Sequence, residues 1–186
     1  MMSALIRTLT LGGAALLAGV TLLSATASAQ QHTVTVVREI DTDRYDPHKS
    51  TARSNAEVMY MMGDTLVNLD FDMKTLTPGL ATSWTVSEDG LVYTFKLRDD
   101  VTFCSGRKMT AKDVVATYER WLDPETKGLV KWRMGDVDKI TAIDDTTVEY
   151  KLKKPFSELL YQMTQYFHTI ITVSYTHLTL PTKRIV

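Results

Sequence analysis

Residues 91–98, "LVYTFKLR", place Leu91, Tyr93, Phe95 and Leu97 on one face of an extended chain, and Val92, Thr94 and Lys96 on the other. Period-two alternation of this kind belongs to a strand that buries one face; a helix would scatter the same four apolar residues around its circumference. Directly before it, Glu88-Asp89-Gly90 carries the Asp-Gly chemistry of a tight hairpin turn, so "LATSWTV" is expected to run antiparallel to it. A second hairpin is expected further on, where "VDKITAI" and "TTVEYKL" flank an Asp-Asp turn and residues 137–140 and 148–152 supply the alternation. Two local hairpins commit the chain to antiparallel sheet.

The other segments are read around those hairpins. "HTVTVVREI" alternates over residues 32–40, with Val34 and Val36 on one face, and predicts a strand. "DTDRYDPHKSTARSN" is loop chemistry, with Asp46-Pro47 excluding helix locally. From Ser54 a helix is expected, with Val58, Met61 and Met62 at i, i+3 and i+4 facing the core. Core packing is favoured over a greasy ligand surface for Met59, Tyr60, Met61 and Met62. "TLVNLD" predicts a short strand, joined to the first hairpin by a polar connector that turns at Pro78-Gly79. In "TAKDVVATYERWL", Thr110 caps a helix and Asp113 closes an acidic variant of the capping box. Val114, Val115, Tyr118 and Leu122 form its apolar face, and Trp84 and Trp121 are assigned to the core. A Gly-broken loop with Trp132 and Arg133 follows, and Pro155-Phe156 opens a last helix, "SELLYQMTQYF". The order is mixed α and β, without internal repeats.

The first 29 residues carry one cation, Arg7, then an apolar run, then Ala27-Ser28-Ala29, the plan of a cleaved secretory signal. A membrane anchor is the rival, but the apolar run falls short of the roughly 20 residues a spanning helix needs. Exported chains often carry disulfides, yet Cys104 is the single cysteine and is read as a small half-buried residue rather than a nucleophile. Without Arg7, Lys183 and Arg184, residues 30–172 hold 18 basic and 22 acidic side chains. There is no basic stripe, so nothing supports nucleic-acid binding.

No catalytic constellation can be assembled. Asp99-Asp100 and Asp144-Asp145 sit at turns; His32, His48 and His168 have no metal-ligand spacing; Ser105-Gly106 is a turn and no Gly-rich phosphate loop exists. The reading therefore calls for no catalytic residue, no metal and no cofactor.

Three blocks carry a resemblance: "DPHKSTARSNAEVMYMMGDTLVNLD", "LTPGLATSWTVSEDGLVYTFKLRDDVTFCSGRKMTAKDVVATYERWLDPET" and "ITAIDDTTVEYKLKKPFSELL". In unbroken order they resemble the N-terminal third of family 5 extracellular solute-binding proteins, the dipeptide and oligopeptide receptors of ABC transporters. The family's usual Phe-x-Asp-Gly is here Phe103-Cys104-Ser105-Gly106. The resemblance implies an α/β fold, mixed α+β in this stretch, forming the N-terminal part of a two-lobed, periplasmic binding protein type II-like receptor without enzyme activity. It implies a peptide or other small solute as ligand, ABC permease subunits as partners, and a periplasmic location without stable membrane insertion. Nickel chelates, haem, sugars and opine-like compounds remain alternative solutes. The implied cleft residues are Ser50, Thr51, Ala52 and Arg53 in one loop and Val130, Trp132 and Arg133 in the loop after the Asp-Pro turn. Arg53 could take a peptide carboxylate and Trp132 could floor a pocket; otherwise Arg53 is a solvated cation and Trp132 an ordinary core residue.

The expected organisation is a signal at 1–29, the first strand, cleft loop and helix at 30–62, a small α+β domain at 63–162, a return segment at 163–172 and a non-native tail at 173–186. Residues 173–182 back-translate as GTC TCT TAT ACA CAT CTG ACG CTG CCG ACG, a string similar to a transposon mosaic end joined to a sequencing adapter. In that adapter an adenine and an eight-base index would then cover Lys183, Arg184 and Ile185, and GTG TAG would supply Val186 and the stop. On that reading the chain is a fragment with half a cleft and binds no peptide measurably. An exported enzyme whose catalytic residues lie elsewhere, or a small secreted interaction module, are the rivals from other classes.

Overall fold

A computed structural model describes residues 44–172, all within one compact unit, Arg38–Val186. The signal segment, the strand expected at 32–40 and the tail at 173–186 lie outside the described residues.

Helix α1 (Arg53–Met62) leads into a two-stranded hairpin, β1 (Val67–Leu69) with β2 (Leu76–Pro78). Next come β3 (Ala81–Val86), β4 (Val92–Leu97), helix α2 (Ala111–Leu122), β5 (Val137–Asp144), β6 (Thr147–Leu152) and a one-turn helix α3 (Leu159–Gln162). The last four strands form one antiparallel sheet in the order β3-β4-β6-β5. Both expected hairpins are present. Gly90 takes φ +68°, and the Ser87 carbonyl accepts from the Gly90 N–H at 2.9 Å, the turn that an Asp-Gly pair makes without strain. Tyr93, Phe95 and Leu97 of β4 and Val148, Tyr150 and Leu152 of β6 are all buried. In register, Phe95 sits opposite Val148 and Tyr93 opposite Tyr150, so the apolar faces of the two central strands coincide.

Helix α2 packs against β5 and β6. Its buried residues are Ala111, Asp113, Val114, Thr117, Tyr118 and Trp121. The Thr110 N–H donates to Asp113 Oδ2 at 3.0 Å, which is the acidic half of the expected capping box. Arg107 closes the other side of that carboxylate and also reaches Thr172 Oγ1 at 2.6 Å. Asp113→Ala leaves the cap N–H unsatisfied and Arg107 without its anion. With Arg107 half in solvent, the expected loss is about 2 kcal/mol in urea unfolding, and an unchanged midpoint would mean the cap is idle.

Several sequence expectations need correction. Val58, Met61 and Met62 do not form the inward stripe of α1: Asn55 and Met59 are buried, while Met61 is 72% and Met62 63% exposed. The helix is rotated because Asn55 Nδ2 donates to Ser50 Oγ at 2.6 Å, a bond that pulls the polar residue inward. Pro78-Gly79 is not the turn of the connector. Residues 76–78 are themselves a strand, and the chain turns earlier, where Asp72 Oδ1 accepts the N–H groups of Lys74 and Thr75, each at 2.8 Å. Leu122 is exposed and Trp121 takes its place in the apolar face. Trp84, assigned to the core, is half-buried at its edge. The final helix is a single turn at 159–162, followed by a separate 3-10 turn, Tyr166–His168. Cys104 is exposed, on the turn that Gly106 closes with φ +81°.

Candidate functional site

The two loops expected at the cleft are built differently. In the first, Asp46-Pro47 makes a turn in which the His48 N–H donates to Asp46 Oδ1 at 3.0 Å. From α2, Arg120 grips this turn, donating to both oxygens of Asp46 at 2.6 and 3.2 Å and to His48 Nδ1 at 2.8 Å. Because a guanidinium only donates, Nδ1 must accept, and the imidazole is the neutral Nε2–H tautomer. Burial first, then the Arg120 charge, lowers the His48 pKa to about 3. Asp46 is also lowered: burial opposes this, but the hydrogen bonds and charge of Arg120 outweigh it.

Past His48 the chain rises to the surface. Ser50 is buried, and its hydroxyl is committed inside the protein, accepting from Asn55 Nδ2 and from the Ala52 N–H at 3.2 Å. Thr51 and Ala52 are exposed. Arg53 is 94% exposed along its side chain and lies 3.6 Å from Glu57, one turn on. An ion pair so open to solvent holds neither partner firmly.

The second loop is bracketed by unusual backbone. Val130 takes φ +49° and ψ +34°, a left-handed conformation that a β-branched residue adopts only at a cost of about 1–3 kcal/mol. Gly135, at φ +72°, closes the 3-10 turn Lys131–Met134. Trp132 is 60% exposed, which corrects the core alternative for it. The Arg133 guanidinium carbon lies 4.8 Å from the Trp132 ring centroid and 5.1 Å from that of Phe167, and Arg133 Nη1 donates to Gln162 Oε1 at 2.6 Å.

The two loops meet. The Leu129 N–H donates to the His48 carbonyl at 2.7 Å, and Trp121 Nε1 donates to the Leu129 carbonyl at 2.8 Å. Trp121 stacks on His48 at 4.9 Å with 6° between planes. The 3-10 turn Tyr166–His168 binds both sides: Tyr166 donates its hydroxyl to the Ser50 carbonyl at 2.8 Å, and Phe167 lies under Arg133. Ser50, Val130, Trp132 and Arg133 are thus tied to one aromatic array, whereas Arg53 stands outside it. Sequence reasoning missed Tyr166, Phe167, Gln162 and both buried histidines. The run Tyr166-Phe167-His168 was the available clue, since three rings after a helix terminus exceed what one helical face needs. Among the described residues, no group of three His, Cys, Asp or Glu side chains is placed to hold a metal.

Gly128 is where the second loop passes Trp121: a Cβ there would lie 2.5 Å from the Trp121 ring. Gly128→Ala is expected to cost about 1–3 kcal/mol through displacement of that loop, read by thermal denaturation. A variant as stable as the parent would show that the loop yields freely.

The family model described as "Bacterial extracellular solute-binding proteins, family 5 Middle" matches residues 75–183. The chain belongs to family 5. Among family 5 relatives, it is 31% identical over 173 residues to "Di/tripeptide-binding protein 2" of Pseudomonas aeruginosa, covering 82% of this chain and 32% of that one. It is 37% identical over 142 residues to "Glutathione-binding protein GsiB" of Escherichia coli, covering 75% of this chain and 27% of that one. The chain thus spans about a third or less of these curated relatives. Among solved structures it matches the periplasmic binding protein AgaA of A. tumefaciens, in complex with agropinic acid. The TM-score is 0.67, with 28% identity over 72% of this chain and 27% of that one. DppA of Helicobacter pylori, in complex with peptide STSA, matches with a TM-score of 0.63 and 29% identity, over 73% and 30% of the two chains. The expected fold class stands: a mixed α and β part of a periplasmic binding protein type II-like receptor.

Proposed function

We propose that this chain is the N-terminal part of an exported receptor that captures a short peptide and delivers it to the permease of an ABC importer, without enzyme activity. The observation that carries the reading is the family 5 match, together with relatives whose names specify di- and tripeptides and glutathione, itself a tripeptide. The location that follows is periplasmic, after loss of the signal at residues 1–29. Within the chain, Val130, Trp132 and Arg133 form the cleft-facing segment, and Thr51, Ala52 and Arg53 form a rim beside it. Their support is physical: Val130 holds a left-handed backbone, the Trp132 indole is exposed, and the Arg133 cation is held on aromatic rings. The Ser50 hydroxyl is spent on the start of α1, so its contribution is to shape the loop. On this reading the remaining cleft is supplied by chain beyond Thr172 and residues 173–186 are adapter-derived, although the family match runs on to residue 183.

Genomic DNA across codon 172, recovered from a library built without transposase, tests this directly. The frame is expected to continue for several hundred codons. The full-length product should then bind a dipeptide saturably in calorimetry, while the 186-residue chain should not. A frame that stops after Val186 in an intact genome would overturn the adapter reading, and a full-length product indifferent to peptides would overturn the ligand class.

A further inference from the structure

The last turn of α2 and the residue after it, 120–123, hold both loops from one place. Arg120 reaches the first loop, where its guanidinium spans the two Asp46 oxygens and, through Nη1, His48 Nδ1. Trp121 stacks on the His48 ring and donates to the Leu129 carbonyl of the second loop. From that second loop Lys131 Nζ returns to the carbonyls of Leu122 and Asp123, at 3.0 and 3.2 Å. These are acceptors that a helix end leaves open. The loops are also joined directly, by the Leu129 N–H on the His48 carbonyl. The second loop ends where the sheet takes over, with the Tyr150 hydroxyl of β6 donating to the Met134 carbonyl at 2.8 Å.

The Arg120 contact is of a different kind from an open surface pair. The Arg120 and Asp46 side chains are 15% and 21% exposed, against 94% and 50% for Arg53 and Glu57. A guanidinium fork on a sheltered carboxylate is directional as well as attractive. Nη1 meets Asp46 and His48 together only while the Asp46-Pro47 turn and the imidazole keep their mutual placement. That placement also sets the His48 carbonyl against Leu129. Arg120 makes its hydrogen bonds to the first loop, so an effect of Arg120 on the Leu129 amide has to pass through His48.

We propose that residues 46–53 and 128–133 open and close as one cooperative unit, separately from the sheet, with Arg120 as the residue that positions both. Partial opening in contiguous units of this sort is general in proteins, and coupling between two parts of a unit is reciprocal. The functional consequence rests on the receptor reading, which assigns both loops to the cleft: a solute that orders one loop orders the other. The coupling itself needs no solute and belongs to the 186-residue chain.

Native-state amide hydrogen exchange at pH 7 tests it, with Arg120→Met and Gly128→Ala compared with the parent chain. In Arg120→Met the Leu129 amide is expected to exchange about tenfold faster or more, together with those of His48 and Lys49, while amides of β4 and β6 change by less than about twofold. In Gly128→Ala, which displaces the second loop, the Lys49 amide of the first loop is expected to accelerate as well, again without the sheet. Arg120→Lys keeps the charge and loses the fork, so protection at Leu129 is expected to stay low; full protection in that variant would overturn the positioning role. Should Arg120→Met not fold, Asp46→Asn removes the anion and keeps an acceptor oxygen, and the same pattern is expected at smaller size. Acceleration confined to residues 46–50 would mean that the loops open independently. Equal acceleration of all amides, sheet included, would mean that Arg120 supports the whole fold. Either result overturns the proposal. No peptide and no genomic read-through enter the measurement, so the coupling and the receptor reading can fail separately.

Discussion

Trp121→Ala should cost about 3–5 kcal/mol, a large share of the 5–15 kcal/mol that holds a typical domain together. Trp121 is wholly buried on α2, and its ring is the centre on which three other rings converge. His48 stacks on it, His168 meets it edge-on at 4.9 Å, and Phe167 lies at 6.3 Å. Its Nε1–H also satisfies the Leu129 carbonyl. Truncation opens a cavity where packing density is high and leaves that carbonyl without its donor, so the transfer and hydrogen-bond losses add. Trp121→Phe separates the two effects: much of the ring volume is kept while the N–H is removed, and about 1–2 kcal/mol is expected from the lost bond and imperfect fit. Both losses are read from urea unfolding, and a Trp121→Ala protein within about 1 kcal/mol of the parent would show that the array does not organise the fold. The same substitution should release residues 128–133, because Leu129 and Gly128 are held against this ring. Stability and the candidate site therefore share one residue.

The parts of this fold that were readable in the sequence are those where two local signals agree. In the first hairpin the alternation of residues 91–97 and the Asp89-Gly90 turn specify the same register, and the pairing of Thr85 with Thr94 realises it. In α2, the Thr110 and Asp113 cap fixes the start and Tyr118 the face. Helix α1 had only one signal. With Met59, Tyr60, Met61 and Met62 all apolar, periodicity cannot choose among neighbouring stripes, and the choice was made by Asn55 bonding to Ser50. Strand β2 escaped notice because three residues ending in Pro carry almost no pattern. At the site, the resemblance supplied residue positions, but their grouping depends on bonds across long stretches of chain. His48 to Leu129 and Ser50 to Tyr166 are of this kind, and no local spacing encodes them. His48 and His168 looked inert for the same reason: each is unremarkable alone and acquires meaning only on either side of Trp121.

Acid should unfold this chain well above the range of ordinary carboxylate titration, because those two imidazoles are buried in the neutral form. Burial is the first cause for both, lowering each from 6.5 to about 3. For His48 the charges of Arg120 and Lys49 act in the same direction and Asp46 opposes them. For His168 the charges of His48 and then Arg133 add to the effect of burial, a backbone hydrogen bond with Arg133 opposes them, and Tyr118 holds its Nδ1 at 3.2 Å. The unfolded chain binds protons at these positions from pH 6.5 downward and the folded chain does not until about pH 3. The stability they confer is therefore complete above pH 6.5 and is lost as pH falls towards 3, at about 2 kcal/mol per imidazole by pH 5. The lowered pKa of Asp46 works in the same direction but only below its own ordinary range, so it does not contribute to the slope between pH 5 and 7. Urea unfolding at intervals across that window should show stability rising with pH, and His168→Phe should remove about half of the slope. A slope unchanged by His168→Phe would mean that this imidazole opens to solvent and protonates in place. In that event the turn at 46–49, clamped to the same array by Arg120, would loosen in acid before the sheet does, and its amides would exchange first.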